Sequence, residues 1–367
     1  MDDSALMRNL VTKIFEASPG FVVAATAMNG MFALKKLGQA RPDLIVLDIE
    51  MPEMNGIEFL RERQKREIDV PVIILSSLAE KGARITMEAL ALGASDFVLK
   101  PGGVISTHDM RDAAQELIDV ARVYAKRKIR FEEPEAEPAK PTAAEELPEL
   151  PVWKEPPRPV EVRKAAPPLR ETGPIEIVAI GISTGGPNAL RELLPSLDKE
   201  FPVPVLVVQH MPAGFTGEFA ESLNRICHLE VKEARAGDII RPGRVFIAPG
   251  NSHMTVEAKP LARTVGLSED ALVNGHRPSA DVLFASVAKV YGNRSLGVIM
   301  TGMGRDGAAE IGSIYREGGY TLAQDEASSV VFGMPRVAIE SGVVKEVVPL
   351  ARMAETIKRL SREHPPD

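Results

Sequence analysis

A proline-rich interruption divides this chain and constrains its fold more than any other feature of the sequence. Eleven of the 29 prolines lie between Phe131 and Pro174, among Glu, Ala and Lys residues and almost no periodic apolar positions. This composition favours an extended, semi-rigid tether. At about 150 residues per domain, the rest of the chain is enough for two domains. We predict domains at 1–126 and 172–362 with a linker at 127–171, in which Trp153 is either a docking point for a neighbouring domain or a bystander.

Apolar runs alternate with helix-like stretches on both sides of this linker. The predicted strands before it are Asp43–Ile49, Val70–Ser77 and Ser95–Pro101. Those after it are Ile175–Gly181, Val203–Gln209, Arg244–Gly250 and Ser295–Gly302. Such alternation predicts parallel strands with helices on both faces, so both domains are expected to be α/β.

Charge and cysteine content narrow the class of partner and the compartment. The chain has 44 Lys and Arg against 51 Asp and Glu, a net charge of -7 that disfavours nucleic acid or an acidic membrane as the partner. A single cysteine, Cys227, excludes a disulfide framework or a thiolate metal cluster and predicts the reducing cytoplasm. No apolar run approaches the roughly 20 residues of a membrane span, and the start has no features of a signal peptide. We therefore expect no membrane insertion.

Acidic and polar side chains of the first domain lie at predicted strand ends or edges. They are Asp2, Asp3, Asp48, Ser76, Ser77 and Lys100. Carboxylate oxygens and a phosphate are ligands that Mg²⁺ prefers, and a carboxylate is able to accept a phosphoryl group. Taken singly, Asp3 is also explained as a helix N-cap, Asp48 as a turn residue and Lys100 as a strand end.

The combination of these residues resembles bacterial response-regulator receiver domains over roughly the first 125 residues. The resemblance rests on Asp48-Ile-Glu-Met-Pro-Glu-Met-Asn-Gly56, on Ser76 and on Phe97-Val-Leu-Lys100-Pro101. It implies a flavodoxin-like parallel sheet, a histidine kinase as phosphodonor and Mg²⁺ as the cofactor of phosphorylation. It also implies roles by position: Asp48 as phosphoacceptor, Asp2 and Asp3 with Asp48 as metal ligands, and Ser76, Phe97 and Lys100 as switch residues.

One departure from the receiver pattern concerns the first strand. Receivers carry a central strand directly before the acidic pair, whereas this sequence begins Met1-Asp2-Asp3. A sheet without that strand leaves backbone groups of two neighbours unpaired. Either the numbering starts at an internal methionine or the domain is impaired, and we favour a truncated or misassigned start.

In the second domain, a serine lies on a glycine-rich turn between a predicted strand and a predicted helix. The segment Gly181-Ile-Ser183-Thr-Gly185-Gly186-Pro187 matches G-x-S-x-G, a pattern whose glycines expose the hydroxyl of a nucleophile. Phosphate binding at a helix start and simple capping by Ser183 remain alternatives.

A nucleophilic serine needs a base and an acid that orients it. His210 is the best-placed base because it follows the strand after the serine's helix, and consecutive strands often neighbour one another. His253 and His276 are competitors. His228 fits a surface loop, His108 lies in the first domain and His364 lies in the tail.

Asp306 is the best-placed acid, because its glycine-rich loop Thr301-Gly-Met-Gly-Arg-Asp306-Gly307 closes a predicted strand. Asp238 and Asp281 are alternatives, and capping of the next helix is another explanation of Asp306. The order Ser, His, Asp along the chain differs from that of the α/β-hydrolases and disfavours their fold.

Five separated segments of the chain resemble the chemotaxis protein-glutamate methylesterases, the CheB family. They are GISTGGP, QHMP at Gln209–Pro212, APG at Ala248–Gly250, HRPSADVLFASVA and TGMGRDG. The resemblance implies a doubly wound α/β esterase domain with Ser183 as nucleophile, His210 as base and Asp306 as acid. By position it implies Thr184 and Met303 as backbone oxyanion donors.

The family further implies hydrolysis of glutamate methyl esters on methyl-accepting chemotaxis receptors, often with deamidation of receptor glutamines. No cofactor is expected for the esterase, and an unphosphorylated receiver is expected to cover the esterase cleft. The competing hypothesis is a phosphate- or nucleotide-binding output module of a two-component regulator. It is weakened because no Walker lysine follows GISTGGP.

Overall fold

A computed structural model describes residues 1–100, 107–126 and 165–363. The predicted linker up to residue 164, including Trp153, lies outside the described residues, as do Pro101 and His364. No helix within the described ranges is long and apolar enough to cross a bilayer.

The amino-terminal region is a parallel sheet between two layers of helices. Its described elements are α1 (Ala5–Glu16), α2 (Gly30–Ala40), β1 (Ile45–Asp48), α3 (Gly56–Lys65), β2 (Val72–Ser76), α4 (Glu80–Ala91), β3 (Asp96–Leu99) and α5 (Thr107–Lys126). The strands lie in the order β1-β2-β3. Because successive strand residues point to opposite faces, Ile74 packs in one apolar cluster with Phe59 of α3, and Ile73 packs in another with Leu117 of α5.

Backbone hydrogen bonds join the first residues of the chain to β1 and to Ala27. Met1 lies beside β1: its amino group donates to Val46 O at 2.7 Å, and Asp48 N–H donates to Met1 O at 2.8 Å. On its other side, Asp2 N–H donates to Ala27 O at 3.2 Å. These bonds hold Asp2 beside Asp48 at one end of the sheet.

The second region is built on a larger sheet. Its strands are β4 (Ile177–Ile182), β5 (Val205–Gln209), β6 (Glu230–Glu233), β7 (Arg244–Ile247), β8 (His253–Ala258), β9 (Arg263–Ser268), β10 (Ser295–Ile299), β11 (Tyr320–Gln324) and β12 (Glu346–Val348). Its helices are α6 (Gly186–Leu193), α7 (Phe215–Asn224), α8 (Ala280–Tyr291), α9 (Ile311–Arg316), α10 (Met334–Glu340) and α11 (Leu350–Glu363).

The order of the strands makes this region doubly wound. In the described part of the chain the parallel sheet runs β12-β11-β10-β4-β5-β7-β6, and β8 and β9 form a separate antiparallel hairpin. The first strand, β4, therefore lies in the middle, with later strands added on both sides. In such sheets ligands bind beyond the carboxyl ends of the strands where the winding reverses, which here is the edge after β4 and its two neighbours.

The seven predicted strands all correspond to observed ones, and both domains are α/β. Most observed strands are shorter than predicted; Asp43–Ile49, for example, is reduced to Ile45–Asp48. The hairpin β8–β9 and the strands β6, β11 and β12 were not predicted, because their apolar runs are short or interrupted by polar residues.

Candidate active site and receiver site

The candidate catalytic residues follow three strands that are neighbours in the sheet. β4 lies between β10 and β5, and Ile182 at the end of β4 is in register with Gln209 at the end of β5. Ser183 and His210 therefore leave adjacent strands at the same level. Ser183 N–H donates to Thr301 O at 2.9 Å, which joins the same edge to the loop after β10.

Ser183 lies in a tight turn that leaves its hydroxyl free of capping. The N-cap of α6 is Gly185, at φ +77°, with no side-chain capping bond. A Cβ at Gly185 would approach Val330 Cβ to 2.6 Å, so both the backbone conformation and the available space require glycine. The alternative that Ser183 is a helix cap is therefore wrong.

Gln209 ties the backbone of Ser183 to that of His210, a contact the sequence did not indicate. Its buried side-chain amide donates to Ser183 O at 3.1 Å and to His210 O at 3.0 Å. The two strand ends are thereby fixed to one another.

Asp306 contacts the His210 imidazole. His210 Nε2 lies 2.8 Å from Asp306 Oδ2. Asp306 also accepts hydrogen bonds from Ser279 Oγ at 2.6 Å, Ala280 N–H at 2.6 Å and Asn274 Nδ2 at 3.0 Å. Burial acts to raise the pKa of Asp306, but the hydrogen bonds from His210, Ser279 and Asn274 outweigh it and hold the pKa below its usual range.

The backbone contact of Asp306 explains part of its placement. It accepts from the first N–H of α8, so its negative charge lies at the positive end of that helix. Asp306 does not cap the helix that follows it in sequence, because the N-cap of α9 is Glu310.

The nitrogen of His210 that faces away from Asp306, Nδ1, is buried and has no hydrogen-bond partner among the described residues. That nitrogen is free to accept a proton.

Of the other candidate histidines and acids, His276 and Asp281 lie next to the His210–Asp306 pair, whereas the rest have contacts away from it. His276 stacks on His210 with 3.8 Å between ring centroids. His253 is buried with Nε2 3.1 Å from Ala271 O, and His228 is exposed. Asp281 accepts from Asn274 at 2.7 Å, whereas Asp238 pairs with Lys232 at 2.8 Å.

The predicted oxyanion donors are the residue after the serine and a residue of the loop that approaches the serine. Thr184 follows it directly, and Met303 is two residues from Thr301, whose carbonyl accepts the Ser183 N–H. A Cβ at Gly302 would lie 2.8 Å from Ser183 Cβ, which shows how closely this loop approaches the serine. Within the described chain the backbone N–H groups of Thr184 and Met303 donate to no acceptor.

The predicted acidic cluster also comes together at the strand ends of the first region. Ligand oxygens of Asp2, Asp3 and Asp48 lie within 4.8 Å of one another. Asp2 and Asp48 are buried and Asp3 is exposed. Ser4, rather than Asp3, is the N-cap of α1, so the capping explanation of Asp3 is wrong.

Lys100 supplies a positive charge to this cluster. Its Nζ is 2.7 Å from Asp48 Oδ2 and 3.5 Å from Asp2 Oδ2. Burial raises the pKa of Asp48, in spite of the hydrogen bond and charge of Lys100. Asp2 Oδ2 is buried, and among the described residues its one contact with a donor is this long ion pair with Lys100, so the oxygen suits a cation.

Two of the three predicted switch residues, Ser76 and Phe97, have contacts outside the acidic cluster. Ser76 Oγ lies 2.7 Å from Thr86 Oγ1 on α4. The Phe97 ring stacks on Phe215 of the second region, with 5.1 Å between centroids and 2° between ring planes.

Known proteins resemble both regions of this chain. Family models match the response regulator receiver domain over residues 1–115 and the CheB methylesterase over residues 178–357. A protein-glutamate methylesterase/protein-glutamine glutaminase of Treponema denticola is 52% identical, over 99% of this chain and 97% of that protein. This chain belongs to the CheB methylesterase family. The relative of the same name from Treponema pallidum is 49% identical over 99% of this chain and 96% of its own length.

A solved structure matches the second region of this CheB-family chain. The Thermotoga maritima CheB methylesterase catalytic domain is 40% identical with a TM-score of 0.50, over 51% of this chain and 98% of that chain. The resemblance predicted from the five motifs is confirmed.

In this CheB-family chain the receiver region contacts the turn that carries the candidate nucleophile. Asp96 Oδ2 accepts from Gly185 N–H at 3.0 Å, two residues beyond Ser183. Asn188 Nδ2 on α6 donates to Ala94 O at 3.1 Å and Ser95 O at 3.0 Å. Burial raises the pKa of Asp96 to about 6. The sequence did not predict this role of Asp96, because the contact joins two distant parts of the chain.

Proposed function

We propose that this chain is a phosphorylation-regulated serine esterase that hydrolyses glutamate methyl esters on chemoreceptors to glutamate and methanol. The observation that carries the enzymatic part is the 2.8 Å contact of His210 Nε2 with Asp306 Oδ2, on the strand end beside Ser183. The shared name of the full-length relatives supports the substrate class.

In the proposed mechanism, Ser183 Oγ attacks the ester carbonyl while His210 Nδ1 accepts its proton. Asp306 orients the imidazole through Nε2 and stabilises the positive charge that forms on it. The N–H groups of Thr184 and Met303 stabilise the oxyanion. His210 returns the proton to the departing methoxide, and water then hydrolyses the acyl-enzyme by the same proton transfers in reverse. All of these groups come from the chain itself.

The same residues serve for deamidation of receptor glutamines, the second activity in the relatives' name. The tetrahedral intermediate would be formed in the same way, and His210 would give its proton to the amide nitrogen, which departs as ammonia in place of methanol. The acyl-enzyme would be identical for both substrates, because each loses everything beyond the glutamyl carbonyl.

The alternative of a phosphate-binding module is less well supported. Its predicted phosphate site is the start of α6, but Gly185 N–H there already donates to the Asp96 carboxylate of the receiver region. A phosphate at that position would have to displace a buried negative charge that belongs to the protein itself.

In the receiver region, Asp48 is the proposed phosphoacceptor, with a histidine kinase as donor. Asp2, Asp3 and Asp48 would hold Mg²⁺, which when bound would neutralise negative charge on the incoming phosphoryl oxygens. Lys100, 2.7 Å from Asp48 Oδ2, holds a positive charge beside the carboxylate that receives the phosphoryl group.

Regulation would act through the contact between the two regions. In the unphosphorylated chain, Asp96 and Phe97 hold the receiver against Gly185 and Phe215, near the nucleophile. A phosphoryl group on Asp48 would attract the Ser76 hydroxyl away from its hydrogen bond with Thr86. This movement would disturb the surface formed by Asp96 and Phe97. Phosphorylation would then shift the population of molecules from a closed state, in which this contact is made, to an open state, in which it is broken. The cytoplasm, where receptor glutamates and the kinase would both be available, is the proposed compartment.

The direct test is Ser183→Ala in the full-length chain, with methanol release from methylated receptor as the measurement. We expect methanol release to fall by about 10⁴-fold or more, because the nucleophile of a triad is lost. The melting temperature should stay unchanged, since Ser183 Oγ makes no capping bond. Substitution of Ser196 by Ala, at an exposed position of the same region, is a matched control that should keep full activity. Methanol release retained in Ser183→Ala would overturn the proposed function.

A further inference from the structure

A second histidine covers one face of the candidate base. The rings of His210 and His276 are stacked, with 3.8 Å between centroids and 11° between planes. Such an arrangement joins the rings through their faces, so His276 does not donate or accept a hydrogen bond with His210. Its contribution to the site is therefore a flat surface rather than a proton.

The turn that carries His276 is fastened to the same acid that orients His210. Val273 and His276 exchange backbone hydrogen bonds, at 3.1 and 2.9 Å. Between them, Asn274 Nδ2 donates to Asp306 Oδ1 at 3.0 Å and to Asp281 Oδ2 at 2.7 Å. The His276 ring is thus positioned relative to Asp306 by a short turn that is held by this backbone pair and by the Asn274 side chain.

The His276 ring is neutral at the pH at which the esterase would work. Burial lowers the pKa of His276 to about 4, with a further contribution from the charge of His210. During the proposed reaction His210 becomes a cation transiently. A neutral aromatic face accommodates a cationic ring against it, whereas a second cation would repel it.

The His210 imidazole is required in one orientation, with one ring nitrogen facing Asp306 and the other available to Ser183. Nε2 of His210 faces Asp306, so the nitrogen left for the serine is Nδ1, next to the Cβ–Cγ bond. The χ2 torsion of histidine is broad and roughly two-fold, and rotation about it would break the Asp306 contact and move Nδ1 away. A ring at 3.8 Å blocks that rotation, because the turning imidazole would collide with it.

We propose that His276 is a positioning residue for the esterase reaction. The face of its ring holds the His210 imidazole in the one orientation in which Nε2 contacts Asp306 and Nδ1 is available to Ser183. The proposal rests on the proposed function, in which His210 is the base. It assigns the role to the aromatic face of His276 and not to its ring nitrogens.

The test compares His276→Ala with His276→Phe in the full-length chain. We expect His276→Ala to lower kcat by about 10- to 100-fold, in line with the cost of misplacing a catalytic group. KM should change little, because substrate contacts are not altered. His276→Phe keeps a flat ring and should restore kcat to within about 3-fold of the unaltered enzyme. His228→Ala, at an exposed histidine, is the matched control and should have no effect.

A second measurement separates positioning from folding. A fluorophosphonate probe labels Ser183 at a rate that depends on a correctly oriented base. The rate is expressed per folded molecule, with the folded fraction taken from the melting curve. We expect this rate to fall in His276→Ala and to recover in His276→Phe. An unchanged labelling rate in His276→Ala would overturn the proposal, and so would a loss in His276→Phe as large as that in His276→Ala. Failure of the proposed function itself is distinguishable, because Ser183→Ala would then remain active.

Discussion

Two buried aspartates at strand ends, one in each region, have opposite electrostatic environments. Asp306 is 1% exposed and Asp48 is 3% exposed. Asp306 accepts hydrogen bonds from His210, Ser279, Asn274 and a helix N-terminus, and its pKa is lowered. Asp48 pairs with Lys100 and lies beside a second buried carboxylate, Asp2, and its pKa is raised.

The difference shows how similar positions serve unlike chemistry. A carboxylate with many donors remains ionised and fixed, which suits an acid that orients a base and is itself unchanged. The Asp48 carboxylate lies beside Lys100 and a second buried carboxylate, an arrangement that suits a cation and a phosphoryl group carried as an acyl phosphate, and therefore a site that is modified. The predictions below test this contrast.

The largest expected effect is that of Asp306→Asn. An amide keeps the volume of the side chain but does not hold His210 in the required tautomer, so kcat for ester hydrolysis should fall by about 10³- to 10⁴-fold. Methanol release by the full-length chain is the measurement. Asp270→Asn, at an exposed position, is the control and should keep full activity. A loss of less than about 10-fold in Asp306→Asn would show that the donors around this carboxylate do not serve catalysis.

The next prediction concerns Asp48→Asn. This variant should keep the basal esterase activity, because Asp48 lies in the other region, but it should lose the response to acetyl phosphate and Mg²⁺. We expect the ratio of activities with and without the phosphodonor to become about 1. Asp43→Asn, at an exposed position before the same strand, should respond normally. A normal response in Asp48→Asn would place the phosphoacceptor elsewhere.

The smallest expected effect concerns the contact between the regions. Asp96 accepts from Phe97 N–H at 2.9 Å through one oxygen and from Gly185 N–H at 3.0 Å through the other. An asparagine has only one oxygen, so Asp96→Asn leaves one buried donor unpaired at a cost of about 1 kcal/mol. We expect the basal activity of the unphosphorylated chain to rise about 5-fold.

Asn188→Ala tests the same contact from the other side. It removes the bonds to Ala94 O and Ser95 O and should raise the basal activity similarly. Activity in the presence of the phosphodonor should be the same in both variants as in the unaltered chain. Unchanged basal activity in both would contradict a receiver that covers the esterase.

Much of the fold was predictable because it rests on local patterns. Each long buried strand, such as β4 and β5, is a continuous apolar run, and the polar residue that ends it is visible in the sequence. Since parallel strands end at a common edge, Ser183, His210 and Asp306 were predictable as candidates without coordinates. The hairpin β8–β9 was not, because its apolar residues are separated by polar ones and form no continuous apolar run.

The surroundings of the candidate residues were not predictable, because they depend on contacts between distant parts of the chain. Asn274 and Ser279 come near Asp306 only when the loop before α8 folds over it. The stacking of His276 on His210 has the same origin, and sequence reasoning offered these two histidines as competitors rather than partners. Asp96 meets Gly185 across two regions, a relation that no local pattern encodes.

The most direct test of the central claim is to map the site of covalent modification by a fluorophosphonate probe in the full-length chain. Mass spectrometry of the digested protein should find the adduct on Ser183, and labelling should be greatly slowed in Asp306→Asn while the protein remains folded. An adduct on another residue, or labelling of Ser183 at the same rate without the Asp306 carboxylate, would contradict the account.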